Sequence, residues 1–180
     1  MSGGNMNRRY FLGAVLSSAA TPVLAKRIAE RPRALSLHHL HTDERISVTY
    51  RIGDHYQRSA LAKLNHFLRD FRTGDTVAID PQLFDLLYDV QCCLGDTSAR
   101  YEVLSAYRSP QTNAMLRRAG HGVARNSLHL SGRAMDVRFP DLSSRRIRDE
   151  ALRLARGGVG YYPSADFVHL DTGNVRRWGA

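Results

Sequence analysis

Three side chains far apart in the chain stand out by type and setting: His129, Asp136 and His169. The first two lie in Ser127-Leu128-His129-Leu130-Ser131-Gly132-Arg133-Ala134-Met135-Asp136, where small Gly132 and Ala134 let the backbone fold closely around an ion. One imidazole and one carboxylate are suitable zinc ligands, but two ligands do not make a site. A third candidate comes from Asp166-Phe167-Val168-His169-Leu170-Asp171. In a strand, Phe167, His169 and Asp171 share one face, and Asp166, Val168 and Leu170 the other. Three protein ligands leave the fourth tetrahedral position to water, the arrangement of a catalytic zinc site.

The remaining histidines read more plainly. His38, His39 and His41 cluster in a hairpin, but alternation puts His39 on the opposite face from His38, and no carboxylate stands at a ligand spacing. His55 and His66 read as surface or helix-packing residues. Cys92 and Cys93 are adjacent in an apolar stretch, and two neighbouring cysteines do not build a disulfide framework. They read as buried packing residues.

The elements that must carry these residues follow from periodicity. Leu35 to Ile52 alternates around the polar stretch His41–Arg45, a β-hairpin. Leu61, Leu64, Phe67, Leu68 and Phe71 recur at three and four, predicting an amphipathic helix over 56–71. Asp80-Pro81 opens a second helix, with Leu83, Leu86, Leu87, Val90 and Leu94 on its buried face. A strand over 101–107 leads through Arg108-Ser109-Pro110 into a short helix ending at Arg118. A loop spans 120–132, a strand 134–139, and a helix 143–156. Paired strands over 159–162 and 167–171 turn at Pro163-Ser164-Ala165. Such an order predicts an α+β domain around a small, mainly antiparallel sheet flanked by helices.

Ser-x-His-x-x-Gly-x-Ala-x-Asp over 127–136, the Asp166-x-x-His169 pair and the upstream Ser105-Ala106-Tyr107-Arg108-Ser109 occur in one order. Together they resemble the motifs of the zinc D-Ala-D-Ala peptidases, a metallopeptidase superfamily that also includes hedgehog domains. The whole chain after residue 25 is most similar to its YcbK-like branch of murein endopeptidases. The resemblance implies a hedgehog/DD-peptidase-like fold and zinc held by His129, Asp136 and His169. It also implies Asp166 as the base taking the proton of a zinc-activated water, with Asp171 as competitor because it shares the face of His169. Arg108 would stabilise the oxyanion or hold a substrate carboxylate. Ser127 would bind substrate or orient its loop. His121 is expected at the cleft mouth, with no role assigned. Tyr107, Tyr161 and Tyr162 are candidates for the groove.

Residues 1–25 read as an export signal: Arg8 and Arg9, a short apolar run, and small Val23 and Ala25 before a cut. Arg8-Arg9-Tyr10-Phe11-Leu12 is twin-arginine-like, with Sec export the rival. Residues 26–34 read as a flexible lead and 35–180 as the zinc peptidase domain. Losing Arg8 and Arg9, and no acid, takes the net charge from +9 to +7. These features point to an exported protein of the periplasm or cell envelope, with no stable membrane span after signal removal. The expected partners are peptidoglycan peptide stems, hydrolysed at their cross-links. A D,D- or L,D-carboxypeptidase of murein stems, or a zinc-stabilised cell-wall-binding module without catalysis, are the competing readings. No nucleic acid is expected, since the chain carries neither a basic recognition helix nor an aromatic stacking run.

Overall fold

The computed structural model describes residues 31–120 and 122–179. The expected export signal, the first part of the expected lead and His121 lie outside the described residues. Among the described residues, eight strands form one sheet in the order β3-β2-β1-β4-β5-β7-β6-β8. Strands β1 (Pro32–His39) and β2 (Arg45–Ile52) make the expected hairpin, extended by β3 (His55–Tyr56). The first strand begins at Pro32, so residues 32–34 belong to the sheet and not to the lead. Strands β4 (Arg100–Ser105), β5 (Ala134–Arg138), β6 (Gly158–Tyr162), β7 (Phe167–Asp171) and β8 (Arg176–Gly179) complete it. The β1–β4 and β6–β8 pairings are parallel and the rest antiparallel, giving the α+β architecture.

Helix α1 spans Arg58–Phe67, shorter at both ends than the periodicity predicts. Its start is held back because Gln57 N–H donates to Tyr50 O of β2. Its end is drawn off because buried Asp70 accepts from Arg72 N and, at 2.8 Å, from Ser109 N. Phe71 then leaves the helix line and stacks on His41. Helix α2 (Pro81–Leu94) opens as expected, with Asp80 accepting from Gln82 N and Pro81 in the first turn. Cys92 and Cys93, expected to be buried, are exposed. Leu83, Leu86, Leu87 and Val90 set the inward stripe, and at 100° per residue the two cysteines fall outside it. Helices α3 (Pro110–Arg118) and α4 (Ser144–Leu154) start at the serine caps Ser109 and Ser143.

The apolar face of the sheet carries Tyr101, Val103, Met135, Val137, Val159, Val168 and Leu170, all buried. Helix α1 packs on β2, α2 on β1, and α4 on β6 and β7. Alternation along β5 and β7 then turns Asp136, His169 and Asp171 to the opposite face. No helix among the described residues is long and apolar enough to cross a membrane.

Candidate active site

The loop before β5 explains its own motif. Ser127 caps a 3-10 helix (Leu128–Ser131), its hydroxyl accepting from His129 N, and Gly132 ends it at φ 65°. A Cβ there would also meet Ala78 O at 2.8 Å and Val77 Cγ1 at 2.9 Å, so this position admits only glycine. The cap and stop fix where His129 leaves the backbone. Asp136 and His169 are direct cross-strand partners in the β5–β7 ladder, so their side chains rise together on one face. Ala134 lies opposite Asp171 in the same ladder, and its small side chain leaves that carboxylate its space.

The three expected ligands converge. His129 Nε2 is 3.2 Å from His169 Nδ1 and 3.3 Å from Asp136 Oδ1, and His169 Nδ1 is 2.9 Å from Asp136 Oδ1. Among the described residues this is the group of histidine and carboxylate side chains placed to hold a metal ion, and all three are buried. A tetrahedral zinc with bonds of about 2.0–2.1 Å needs donor atoms about 3.3 Å apart, close to these spacings.

Hydrogen bonds behind the group decide its chemistry. His129 Nδ1 lies 2.5 Å from Ala106 O, and a carbonyl only accepts, so the proton is on Nδ1 and Nε2 presents a lone pair. His169 Nε2 donates to Asp171 Oδ2 at 3.0 Å, which leaves Nδ1 as a lone pair too. With both rings neutral, two imidazole lone pairs and a carboxylate oxygen thus face one another in a buried site, and positive charge, from a metal ion or from a proton on His169, removes the repulsion. Carboxylate- or carbonyl-backed histidines are the usual support of metal ligands.

The titration of the group reflects the same demand. Burial pushes the His129 pKa below its ordinary value, outweighing the pull of Asp136. Burial opposes charge on His169 as well, yet its bonds to Asp136 and Asp171 raise its pKa. Burial alone would raise the Asp136 carboxyl; the charge of His129 and bonds from both histidines hold it well below the usual carboxylate range.

Asp171 is fully buried and committed. Its carboxylate accepts from Gly158 N, Gly173 N and His169, and Arg176 grips both of its oxygens at 3.0 and 2.6 Å. It therefore orients His169. The glycines of β6 make this possible: Gly158 stands between Asp171 and Arg176 in the sheet, and Gly160 between His169 and Trp178. A Cβ on Gly158 would lie 2.5 Å from Asp171 Oδ2, and one on Gly160 2.5 Å from the Trp178 ring. Each pair meets across a glycine. Arg176 and Trp178 sit on β8, a strand the periodicity does not reveal; the glycine alternation of β6 was the signal that something lies over it.

A cleft of about 300 Å³ opens over the group, walled by Arg108, Val123, Ser127, Tyr162, Phe167 and Trp178 among others. Tyr162 stacks on Phe167, and its hydroxyl accepts from Trp178 Nε1. Tyr161 faces away, under the guanidinium of Arg148. Arg108 does not stand free as an oxyanion donor: its guanidinium bonds Asp136 Oδ2, and its Nε donates to Ser105 Oγ. Ser127 lines the cleft, although its Oγ already orients the loop through His129 N. Asp166 is exposed and outside the cleft lining, and no hydrogen bond ties it to the three ligands. It closes the 3-10 turn Pro163–Ala165 at φ 49°, so the alternation of β7 starts only at Phe167.

Comparisons with known proteins identify the family of the chain. The family described as peptidoglycan L,D-endopeptidase MepK matches residues 27–178. The Escherichia coli K12 peptidoglycan L,D-endopeptidase MepK is 45% identical over 177 residues, covering 97% of each chain. A Haemophilus influenzae protein named probable peptidoglycan L,D-endopeptidase MepK is 39% identical over 179 residues, covering 97% of this chain and 96% of that one. Among solved structures, the L-Ala D-Glu endopeptidase ChiX of Serratia marcescens superposes with a TM-score of 0.36 at 20% identity, over 54% of this chain and 69% of that one. With the match running through every element that builds the site, the chain belongs to the MepK family of peptidoglycan endopeptidases, a family of metallopeptidases.

Proposed function

We propose that this protein is a zinc-dependent endopeptidase of the cell envelope that hydrolyses the peptide cross-links of peptidoglycan. The observation that carries the reading is the convergence of three lone-pair donors, from His129, Asp136 and His169, at the floor of a cleft. Two imidazoles and one carboxylate suit zinc and leave a position open. When bound, zinc supplies Lewis acidity, which polarises a carbonyl and makes hydroxide available near neutral pH. The relatives are named for action on peptidoglycan, which lies outside the cytoplasm, in keeping with the export signal read in residues 1–25.

The residues divide the remaining work. Ala106 O and Asp171 hold the two imidazoles in the tautomers that leave the inward nitrogens bare. Arg108 pairs with Asp136 and, lining the cleft, brings positive charge to the carbonyl under attack. Ser127 stiffens the loop that carries His129 and has its hydroxyl proton free for a substrate carbonyl. For the proton acceptor, Asp136 and Asp171 are committed to their partners, while Asp166 carries no partner among the described residues and follows the cleft residue Tyr162 through one short turn. Asp166 is therefore the proposed base.

Digestion of purified cross-linked sacculi tests the whole reading. Cross-linked dimers should disappear with matching gain of monomers, and chelation or His129→Ala should stop it. Shortened monomers with intact dimers would instead identify a carboxypeptidase, and no cleavage with metal bound a binding module. Asp166→Asn should stop cleavage with the metal retained; if Asp166→Asn cleaves like the parent, the base is another group.

A further inference from the structure

The cations of the cleft are already neutralised. Arg108 pairs with Asp136, and Arg176 grips both oxygens of Asp171. Neither guanidinium is free to recognise an acidic ligand. Next to the cleft the situation is reversed. A depression of about 490 Å³ at the C-terminal end of α3 is lined by Ala114, Arg117, Arg118, Gly120, Gly122 and Val123, with no acidic residue in its wall among the described residues. Gly122 and Val123 line the cleft as well, so the two spaces meet along one loop. Arg117 and Arg118 are exposed, and among the described residues neither guanidinium takes part in a hydrogen bond or ion pair. By contrast, the larger depression against α4 has an acidic residue in its wall, Asp149, which pairs with Arg148 beside Arg177.

Resting on the endopeptidase reading, we infer that this depression is a subsite for the free carboxylates of the stem peptide that runs on from the scissile bond. A cross-linked stem pair is too large for about 300 Å³, so part of it must lie on a surface continuous with the cleft. Stem peptides carry free carboxylates on their glutamate and diaminopimelate residues. A pair of uncommitted guanidiniums is the chemistry that holds such groups, through charge-assisted and often bidentate bonds. The wall between cleft and subsite is held by Asn113, whose side-chain amide donates to Ala124 O at 3.2 Å from within α3. The arginines also lie in the last turn of α3, where positive charge offsets the helix dipole. A purely structural role would therefore appear in thermal stability and not in substrate preference.

The test compares cross-linked stem dimers bearing free carboxylates with the same dimers amidated, using the purified metal-loaded protein. For the acidic dimer, Arg117→Gln/Arg118→Gln should raise KM about fivefold to tenfold with kcat unchanged, the scale of two exposed ion pairs. The amidated dimer should be cleaved equally by parent and variant, and Arg117→Lys/Arg118→Lys should keep most of the preference. Added salt should erase the difference. Equal KM values for the acidic dimer, or a loss of the same size on both dimers, overturns the subsite. Direct titration of the acidic dimer separates this inference from the endopeptidase reading. Cleavage by the parent with arginine-independent binding removes the subsite alone, whereas arginine-dependent binding without any cleavage removes the activity alone.

Discussion

Two places in this protein gather histidines beside carboxylates, and they behave oppositely. At the turn of the first hairpin, His38, His39 and His41 lie close to Asp43 and Glu44. There every group finds a different partner. His38 bonds Asp43, His39 accepts from His41 N, His41 stacks on Phe71, and Arg69 takes both oxygens of Glu44. At the cleft, the two histidines use their outer nitrogens on Ala106 O and Asp171, and so turn their inner nitrogens toward each other. Residue type and proximity are common to both places. What differs is the hydrogen bond behind each ring, which aims its lone pair outward in one place and inward in the other.

The sharpest way to break this contrast is to exchange the losses. His129→Ala should reduce both bound metal and sacculus cleavage to background, while the triple change of His38, His39 and His41 to Gln should leave metal content at the parent level. Metal analysis of the two proteins checks it, and metal lost from the triple variant would sink the distinction. If the backing bond is what matters, Asp171→Asn should weaken metal affinity about 10- to 100-fold with all three ligands intact. A competition titration with a chelator reads that difference.

The packing over the ligands gives a smaller handle. Gly160→Ala places a methyl against Trp178, so Trp178 must move from its contact with His169. Overpacking of this kind costs about 1–3 kcal/mol, to be read by denaturant unfolding together with the Trp178 emission.

The hairpin cluster should show itself through pH instead. Burial, with His41 and Arg69 adding to it and Glu44 opposing, pushes His39 down to about 4. In the unfolded chain it protonates near its ordinary value of about 6.5. Between these values the unfolded state binds the extra proton. His39 therefore contributes stability that is fully present above about 6.5 and is lost as pH falls towards 4, with a slope of at most about 1.4 kcal/mol per pH unit. Unfolding measured from pH 7 to 4.5 should be flatter for His39→Gln than for the parent; identical slopes would mean the ring is not held neutral.

Legibility in the sequence followed the range of the interactions. The hairpin, the Asp80-Pro81 start of α2 and the paired strands β6 and β7 are set by residues a few positions apart, and all could be read. The early end of α1 could not, because Ser109, 39 residues away, draws on Asp70. The outward turn of Cys92 and Cys93 is not legible either, because a continuous apolar run does not mark which of its sides faces solvent. Strand β8 has two arginines in four residues and no apolar alternation, so only its pairing with β6 shows it as a strand.

By itself the sequence determined which side chains can bind a metal and which local turns present them, because caps, glycine stops and alternation act within a few residues. It could not say that Asp171 backs His169 while Asp166 stays on the surface, or that Arg108 joins Asp136. Those outcomes depend on which strands lie side by side and on a glycine row that lets Arg176 and Trp178 reach across the sheet. A lone pair is aimed only when both sides of its ring are occupied, and residues from the segment after β4, the 3-10 helix, β5 and β7 meet there only after the chain has folded.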